Sequence, residues 1–273
     1  MSLARLMPNI GGPRQDRRKL LASVVVSVLT YGIAIWGEVL EMETHRRKVA
    51  AVHRISALRV ASAFRTRSND AVYVIASMMP IEVIAVERKQ LYAARGTNPV
   101  EREELRTNVK QRRLELWQQK WSASVEGKWT HRLISKLDSW INCQHGEVNF
   151  YLTQMLSNHG CFRAYLYRFK HENIPDCPAG CGAPEDAEHV LFYSARFGQA
   201  REELNVRLGG GIEPETIVQF MLEKVENWSA ASSFAKDIMT KLREEEQSRR
   251  KAREPETIAP RVMQRKLTDF WKH

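Results

Sequence analysis

Cys177, Cys181 and His189 are the residues whose types and spacing speak most directly of chemistry. The two cysteines flank a short turn, Cys177-Pro178-Ala179-Gly180-Cys181, and the histidine follows on a predicted helix. Thiolate sulfur and imidazole nitrogen are the soft ligands that tetrahedral zinc takes in fours. A fourth ligand is expected about one helical turn past His189, and Ser194 stands there. Neutral serine is a poor zinc ligand, so the set reads as a zinc knuckle without its last member. Three ligands plus water make an open site of the catalytic kind, without the folding role of a closed one. Asp176 or Cys161 would complete the set if the fold brought either near.

A second candidate is a row of arginines. On a predicted helix from Glu41 to Arg65, at about 100° per residue, Arg47, Arg54 and Arg65 fall on one line, with Val49, Val52, Val60 and Ala63 opposite. Two readings stand: a solvated face, or a track of phosphate contacts. Trp117 and Trp121 lie one turn apart on another predicted helix, where they would be core anchors or base-stacking platforms, the former being the commoner use. His145, His159 and His171 are scattered and take no assigned role. Gly209-Gly210-Gly211 lacks the Lys-Ser/Thr of a phosphate loop and reads as a turn.

The chemistry of these groups fits the bulk composition. Forty-two basic residues against 32 acidic ones leave a net charge of +10, which favours polyanionic partners, RNA and DNA foremost. With 43% hydrophobic and 27% charged residues the chain is globular and not of disordered composition. Four cysteines are too sparse for a secreted disulfide framework, so an intracellular setting, nucleus or cytoplasm, is expected. Leu20 to Gly37 carries no charge and follows Arg17-Arg18-Lys19, as a membrane anchor would. It is barely long enough to span a bilayer and is diluted by Ser23, Ser27 and Thr30, so the expectation is a helix buried on most sides in a core, with no membrane partner.

The elements that must position these groups are helices. Periodicity and caps predict them over Arg14–Glu38, Glu41–Arg65, Ile81–Arg95, Glu101–Ser124, Ala200–Leu208, Pro214–Val225 and Trp228–Arg253. Ser68-Asn69-Asp70 caps a shorter one that ends before Pro80. Between Trp129 and Phe169 aromatics crowd among turn residues, as in a compact second core.

At several of these positions the chain resembles the C-terminal third of the reverse transcriptase polyprotein of arthropod non-LTR (LINE-type) retrotransposons, in the group that inserts into ribosomal RNA genes. The residues that carry the likeness are Leu6 to Pro13, Leu20 to Val25 with Tyr31-Gly32 and Trp36, and Arg59 to Thr66. The most specific are Trp129 to Ile134, His145 to Gln154 and His159 to Arg163. Cys177-Pro178, Cys181, Glu185 to Val190 and Glu226 to Trp228 continue it.

The resemblance implies a mainly α chain: a helical thumb-like bundle followed by a small aromatic-rich helical region with a degenerate zinc-knuckle. The divisions are residues 1–125, thumb-like; 126–175, aromatic-rich connector; 176–198, knuckle; 199–253, C-terminal helices; and 254–273, a flexible basic tail. The family's knuckle is Cys-x-x-Cys with His-x-x-x-x-Cys. Here the first pair is one residue wider and the last cysteine is Ser194.

The family's polymerase centre is a set of palm aspartates that includes a Tyr-Ala-Asp-Asp turn, and this chain has no adjacent aspartates. The resemblance therefore implies a non-catalytic, nucleic-acid-binding portion that partners a palm domain supplied elsewhere. The alternative is a fragment of a full RNA-directed DNA polymerase whose catalytic aspartates lie upstream.

Overall fold

The computed structural model describes residues 3–96 and 98–253, so the basic tail expected over 254–273 lies outside the described residues. Ten helices suffice to place the site. They are α1 (Gln15–Thr30), α2 (Glu43–Val60), α3 (Asn69–Ala76), α4 (Ile81–Ala93), α5 (Pro99–Ser122), α6 (Phe150–Ser157), α7 (Arg163–Arg168), α8 (Gly198–Leu208), α9 (Ile217–Glu223) and α10 (Val225–Arg253). The chain is mainly α, as expected. Among the described residues the one β feature is an isolated antiparallel bridge between Asp176 and Pro184.

Local chemistry explains the helix starts. Ser68 accepts from the Ala71 N–H to begin α3, Asn98 from Glu101 to begin α5, and Asn149 from Tyr151 and Leu152 to begin α6. Helix α2 ends earlier than the apolar pattern predicts. The Ala63 N–H closes back onto the Leu58 carbonyl and Ser62 takes φ 54°, so the helix stops at Val60 and Arg65 sits in the following turn.

Helix α10 is the spine. Trp228, Ala231, Phe234, Ala235, Ile238, Met239 and Leu242 form its buried stripe, against which α6, α8 and α9 pack. One continuous core joins this stripe to Ala22 of α1, Leu58 of α2 and Val72 of α3, and on to Trp121 of α5. A smaller cluster around Ile33, Leu40 and Ile81 lies beside it. Trp117 and Trp121 are core anchors, 2% and 1% exposed, and the Trp121 indole N–H donates to the Ile134 carbonyl at 2.7 Å. Trp140 and Trp129 bond the carbonyls of Val74 and Met155 in the same way, so the aromatic-rich connector is tied to its neighbours by buried donors.

The expected enclosure of Leu20–Gly37 does not hold. Of α1 only Gln15, Arg18 and Ala22 are buried, while Leu20, Val24 and Val28 are between 61% and 72% exposed. The inner face is polar where apolar burial was expected. Arg18 donates to the carbonyls of Pro8, Pro13 and Arg59, and Gln15 accepts from the Val148 N–H. The apolar run is also broken at Gly32, φ 66°, and the chain bends by 50°. No single helix among the described residues is long and apolar enough to cross a membrane.

Candidate metal centre

The knuckle is a short loop pinned at its base. Beside the Asp176–Pro184 bridge, the Glu185 N–H donates to the Pro175 carbonyl at 2.8 Å and the Cys177 N–H to the Ala183 carbonyl at 3.0 Å. Gly180 and Gly182 both take φ 69°, a conformation open to glycine without strain, and this lets three residues fit between the cysteines. Asp186 accepts from the His189 N–H and starts the next turn.

That turn is a single π-helical segment, His189–Tyr193, closed by a bond from the Ser194 N–H to the His189 carbonyl at 2.7 Å. In a regular α-helix residues five apart point about 140° away from one another. The wider π turn brings them back toward one side, so Ser194 rejoins the face of His189. His189 and Ser194, five residues apart, are thus brought together by a local irregularity.

The ligand atoms of Cys177, Cys181 and His189 all lie within 4.8 Å of one another. A tetrahedral zinc site with sulfur at about 2.3 Å and nitrogen at about 2.0 Å has edges of about 3.5–3.8 Å, so closing on an ion needs the ligand atoms to draw in by at most about 1 Å. Ser194 Oγ is 3.6 Å from Cys177 Sγ and fully buried, so the hydroxyl lies beside the ligand cluster. His189 is buried, and its Nε2 has no hydrogen-bond partner among the described residues. A metal would satisfy that orphaned nitrogen. The Cys181 thiol is held below its ordinary pKa, first by a backbone hydrogen bond at Ala195 and then by the side chains of Cys177 and Ser194. The donor set fits zinc with three strong ligands and one weak one.

Neither alternative ligand joins the cluster. Asp176 belongs to the bridge at the loop base. Cys161 is buried elsewhere in the core, and burial pushes its thiol up to about 12, which disfavours the thiolate.

A buried carboxylate fastens the knuckle to the rest of the molecule. Glu185 is fully buried, pairs with Arg196, and has Arg163 at 3.6 Å; burial raises its pKa against those two cations. Arg196 also holds Glu245 of α10, and two turns' reach further along, Arg249 and Arg253 hold the buried Glu172. Between the Pro178-Ala179 tip and α10 lies an open groove of about 680 Å³. Its cations are Arg163, Arg196, Lys241 and Arg249; Glu244 and Glu245 also line it. Sequence reasoning missed this groove, because its cations come from three separate stretches of chain.

The arginine row is divided. Arg47 is exposed and pairs with Glu43 at 2.6 Å. Arg54 is half-buried and donates Nη2 to the carbonyls of Arg65 and Arg67, both at 2.6 Å. Arg65 is exposed on the turn beyond the helix. The three do not share a helical face, since α2 ends at Val60.

With this geometry in hand, the chain can be set beside known proteins. It is 25% identical over 214 residues to the Retrovirus-related Pol polyprotein from type-1 retrotransposable element R1 2 of Nasonia vitripennis, covering 73% of this chain and 52% of that protein. Its homologues are Pol polyproteins of R1-type retrotransposable elements. The R1 4 polyprotein of the same species is 23% identical over 231 residues, 78% of this chain and 57% of the relative. The putative 115 kDa protein in type-1 retrotransposable element R1DM of Drosophila melanogaster is 23% identical over 266 residues, 89% of this chain and 25% of the relative. The chain spans about half the length of the first two R1 relatives. No family model matches the chain, and no solved structure matches it.

Proposed function

We propose that this chain is a nucleic-acid-binding, non-catalytic portion of an R1-type Pol polyprotein, drawn from the C-terminal part of it. The observation that carries the reading is the placement of the Cys177–Cys181–His189 cluster against the groove of Arg163, Arg196, Lys241 and Arg249. A metal held there fixes the Pro178-Ala179 wall; Lys241 is the exposed cation of the groove, while Arg163, Arg196 and Arg249 lie behind it, mostly buried in pairs with Glu185, Glu245 and Glu172. Zinc, when bound, neutralises and locks the two thiolates; the contact with phosphate oxygens falls to the exposed Lys241, with the paired arginines lining the groove behind it. Arg47 and Arg65 add exposed charge, while Arg54 positions the Arg65–Arg67 turn through its carbonyl bonds. RNA and DNA are both within reach of such contacts, because phosphate binding is blind to sequence.

Fluorescence anisotropy with labelled RNA and DNA across a salt series tests this. Affinity is expected to fall linearly on logarithmic axes with a slope of several units, one per phosphate neutralised. Arg196→Gln and Arg163→Gln both break the Glu185 anchor as well, so Lys241→Gln is the cleaner variant, expected to flatten the slope by about 0.7–0.9. A wild-type chain that binds neither polymer at low salt sinks the reading.

A second reading rests on coverage. If the chain is one piece of a longer polymerase, as the 52% and 57% coverage of its relatives allows, the catalytic aspartates and a palm partner belong to sequence outside it. Sequencing the transcript on the 5′ side of the Met1 codon tests that: an open frame leading into an aspartate turn supports it, and nearby in-frame stops remove it.

A further inference from the structure

Away from the knuckle, Arg67 presents an unusual condition. Its side chain is 4% exposed, and both terminal nitrogens donate to one carbonyl, that of Ser157, at 2.8 Å. Its Nε has no partner, and among the described residues no carboxylate pairs with it. Burial lowers its pKa to about 9. A desolvated cation without a counter-ion is costly to keep, and its positive field is left uncompensated by any carboxylate among the described residues.

Beside this charge, which acts on both His159 and Tyr165, runs a ladder-like row of three mutually tilted rings. His159 and Tyr165 have centroids 4.6 Å apart, and Tyr165 and Phe169 are 5.0 Å apart. Thr66, the residue before Arg67, fixes the ladder: its hydroxyl lies 2.7 Å from the Tyr165 hydroxyl and 3.1 Å from His159 Nδ1. The outer ring, Phe169, is 46% exposed. It is held at the end of α7 by Lys170, a non-glycine residue at φ 59° whose N–H closes on the Tyr167 carbonyl. Arg168 lies on the ladder's side of α7, its charge acting on both Tyr165 and His159, and Arg65 directly precedes Thr66; both are exposed.

We propose that the His159–Tyr165–Phe169 ladder is a stacking platform for a base of single-stranded nucleic acid, with Arg168 and Arg65 on the flanking phosphates and Arg67 supplying a buried positive field. The inference rests on the nucleic-acid-binding reading and adds a place and a strand form to it. A duplex does not offer an unstacked base, whereas a single strand offers a π-face at every nucleotide. Arg67 itself is too enclosed to touch the strand; it is a positioning residue that favours anions at the ladder's rim.

The experiment uses the full chain and fluorescein-labelled 12-nucleotide oligo(U) and oligo(dT), with a 12-base-pair duplex for comparison. Phe169→Ala is expected to weaken single-strand binding about 5- to 150-fold, the range of one lost base stack, with the salt slope unchanged and duplex binding unaffected. Phe169→Trp should retain binding, and Arg168→Gln should reduce the slope by about 0.7. Tyr167→Ala removes an equally exposed ring from the other side of α7 and should change nothing. Unchanged single-strand affinity in a Phe169→Ala chain of native circular dichroism overturns the platform while leaving the groove reading intact. Absence of any binding by the wild-type chain overturns both.

Discussion

Ser194 decides how tightly the knuckle can hold a metal. Its hydroxyl already lies 3.6 Å from Cys177 Sγ, so Ser194→Cys puts a third thiol beside the ligand cluster. Zinc affinity measured by competition with a chromophoric chelator should rise at least about tenfold in Ser194→Cys, because thiolate replaces a neutral oxygen. Ser194→Ala should change it little, and cobalt substitution should report one more sulfur ligand in the cysteine variant. Equal affinities in all three would mean that Ser194 stands outside the coordination sphere. His53 carries a separate, testable consequence. It is 1% exposed and stacked on Tyr73, and burial lowers its pKa to about 4 from an ordinary 6.5. The unfolded chain therefore binds this proton first, so the stabilising effect is whole above pH 6.5 and is lost as pH falls toward 4. The loss amounts to about 3 kcal/mol at most, and His53→Phe should flatten that limb of the stability profile in urea titrations from pH 7 to 4. The cysteines and His189 were legible because metal ligands must be close in sequence within a knuckle. Glu185–Arg196 and Arg67–Ser157 were not, since no local rule says which buried charge meets which partner.

Helices were legible where a cap or a proline punctuates them, as at Ser68 and the Pro80 that precedes α4; α5, expected from Glu101, starts at Pro99 under an Asn98 cap that was not read. Their surroundings were not. Apolar residues on α1 suggested enclosure, but hydrophobicity records only a preference for burial and says nothing of whether the fold provides a cover. The exposure of Leu20, Val24 and Val28 predicts that lysine at all three leaves the melting temperature within a few degrees, since exposed substitutions shift stability by about 0.5 kcal/mol or less each. Light scattering should at the same time show less self-association. A marked fall in melting temperature would mean that this face is covered. Connections between elements are less forgiving. Gly146 sits at φ 79°, and a Cβ there would fall 2.1 Å from the Trp228 ring, on the loop whose Glu147 carbonyl accepts the Trp228 indole N–H. Gly146→Ala should cost about 2–4 kcal/mol, read as a lower urea midpoint, because a ring packed between Trp140 and the loop cannot retreat.

At the scale of the whole molecule the question is whether metal and fold are one equilibrium. In a small zinc finger they are, because the ligands hold together a chain with too little core of its own. Here Ala187, Val190, Leu191 and Phe192, the residues that carry His189, are part of the continuous core that runs to Leu242 of α10. The Glu185 pairs bind the same segment to α7 and α10 without help from a metal. The metal-free chain should therefore keep its helical circular dichroism and a single cooperative melt. Zinc at a hundredfold excess over its dissociation constant adds about 2.7 kcal/mol by mass action. For a chain of this size that is a rise in melting temperature of about 5–11 °C. What chelation should remove is the ordered Pro178-Ala179 wall of the groove, so anisotropy with RNA should weaken under chelator while the secondary structure holds. Collapse of the helical signal on chelation would show that the knuckle organises the core. A rise of melting temperature with no change in RNA affinity would separate the metal from the groove, leaving the cations of α7 and α10 to bind alone.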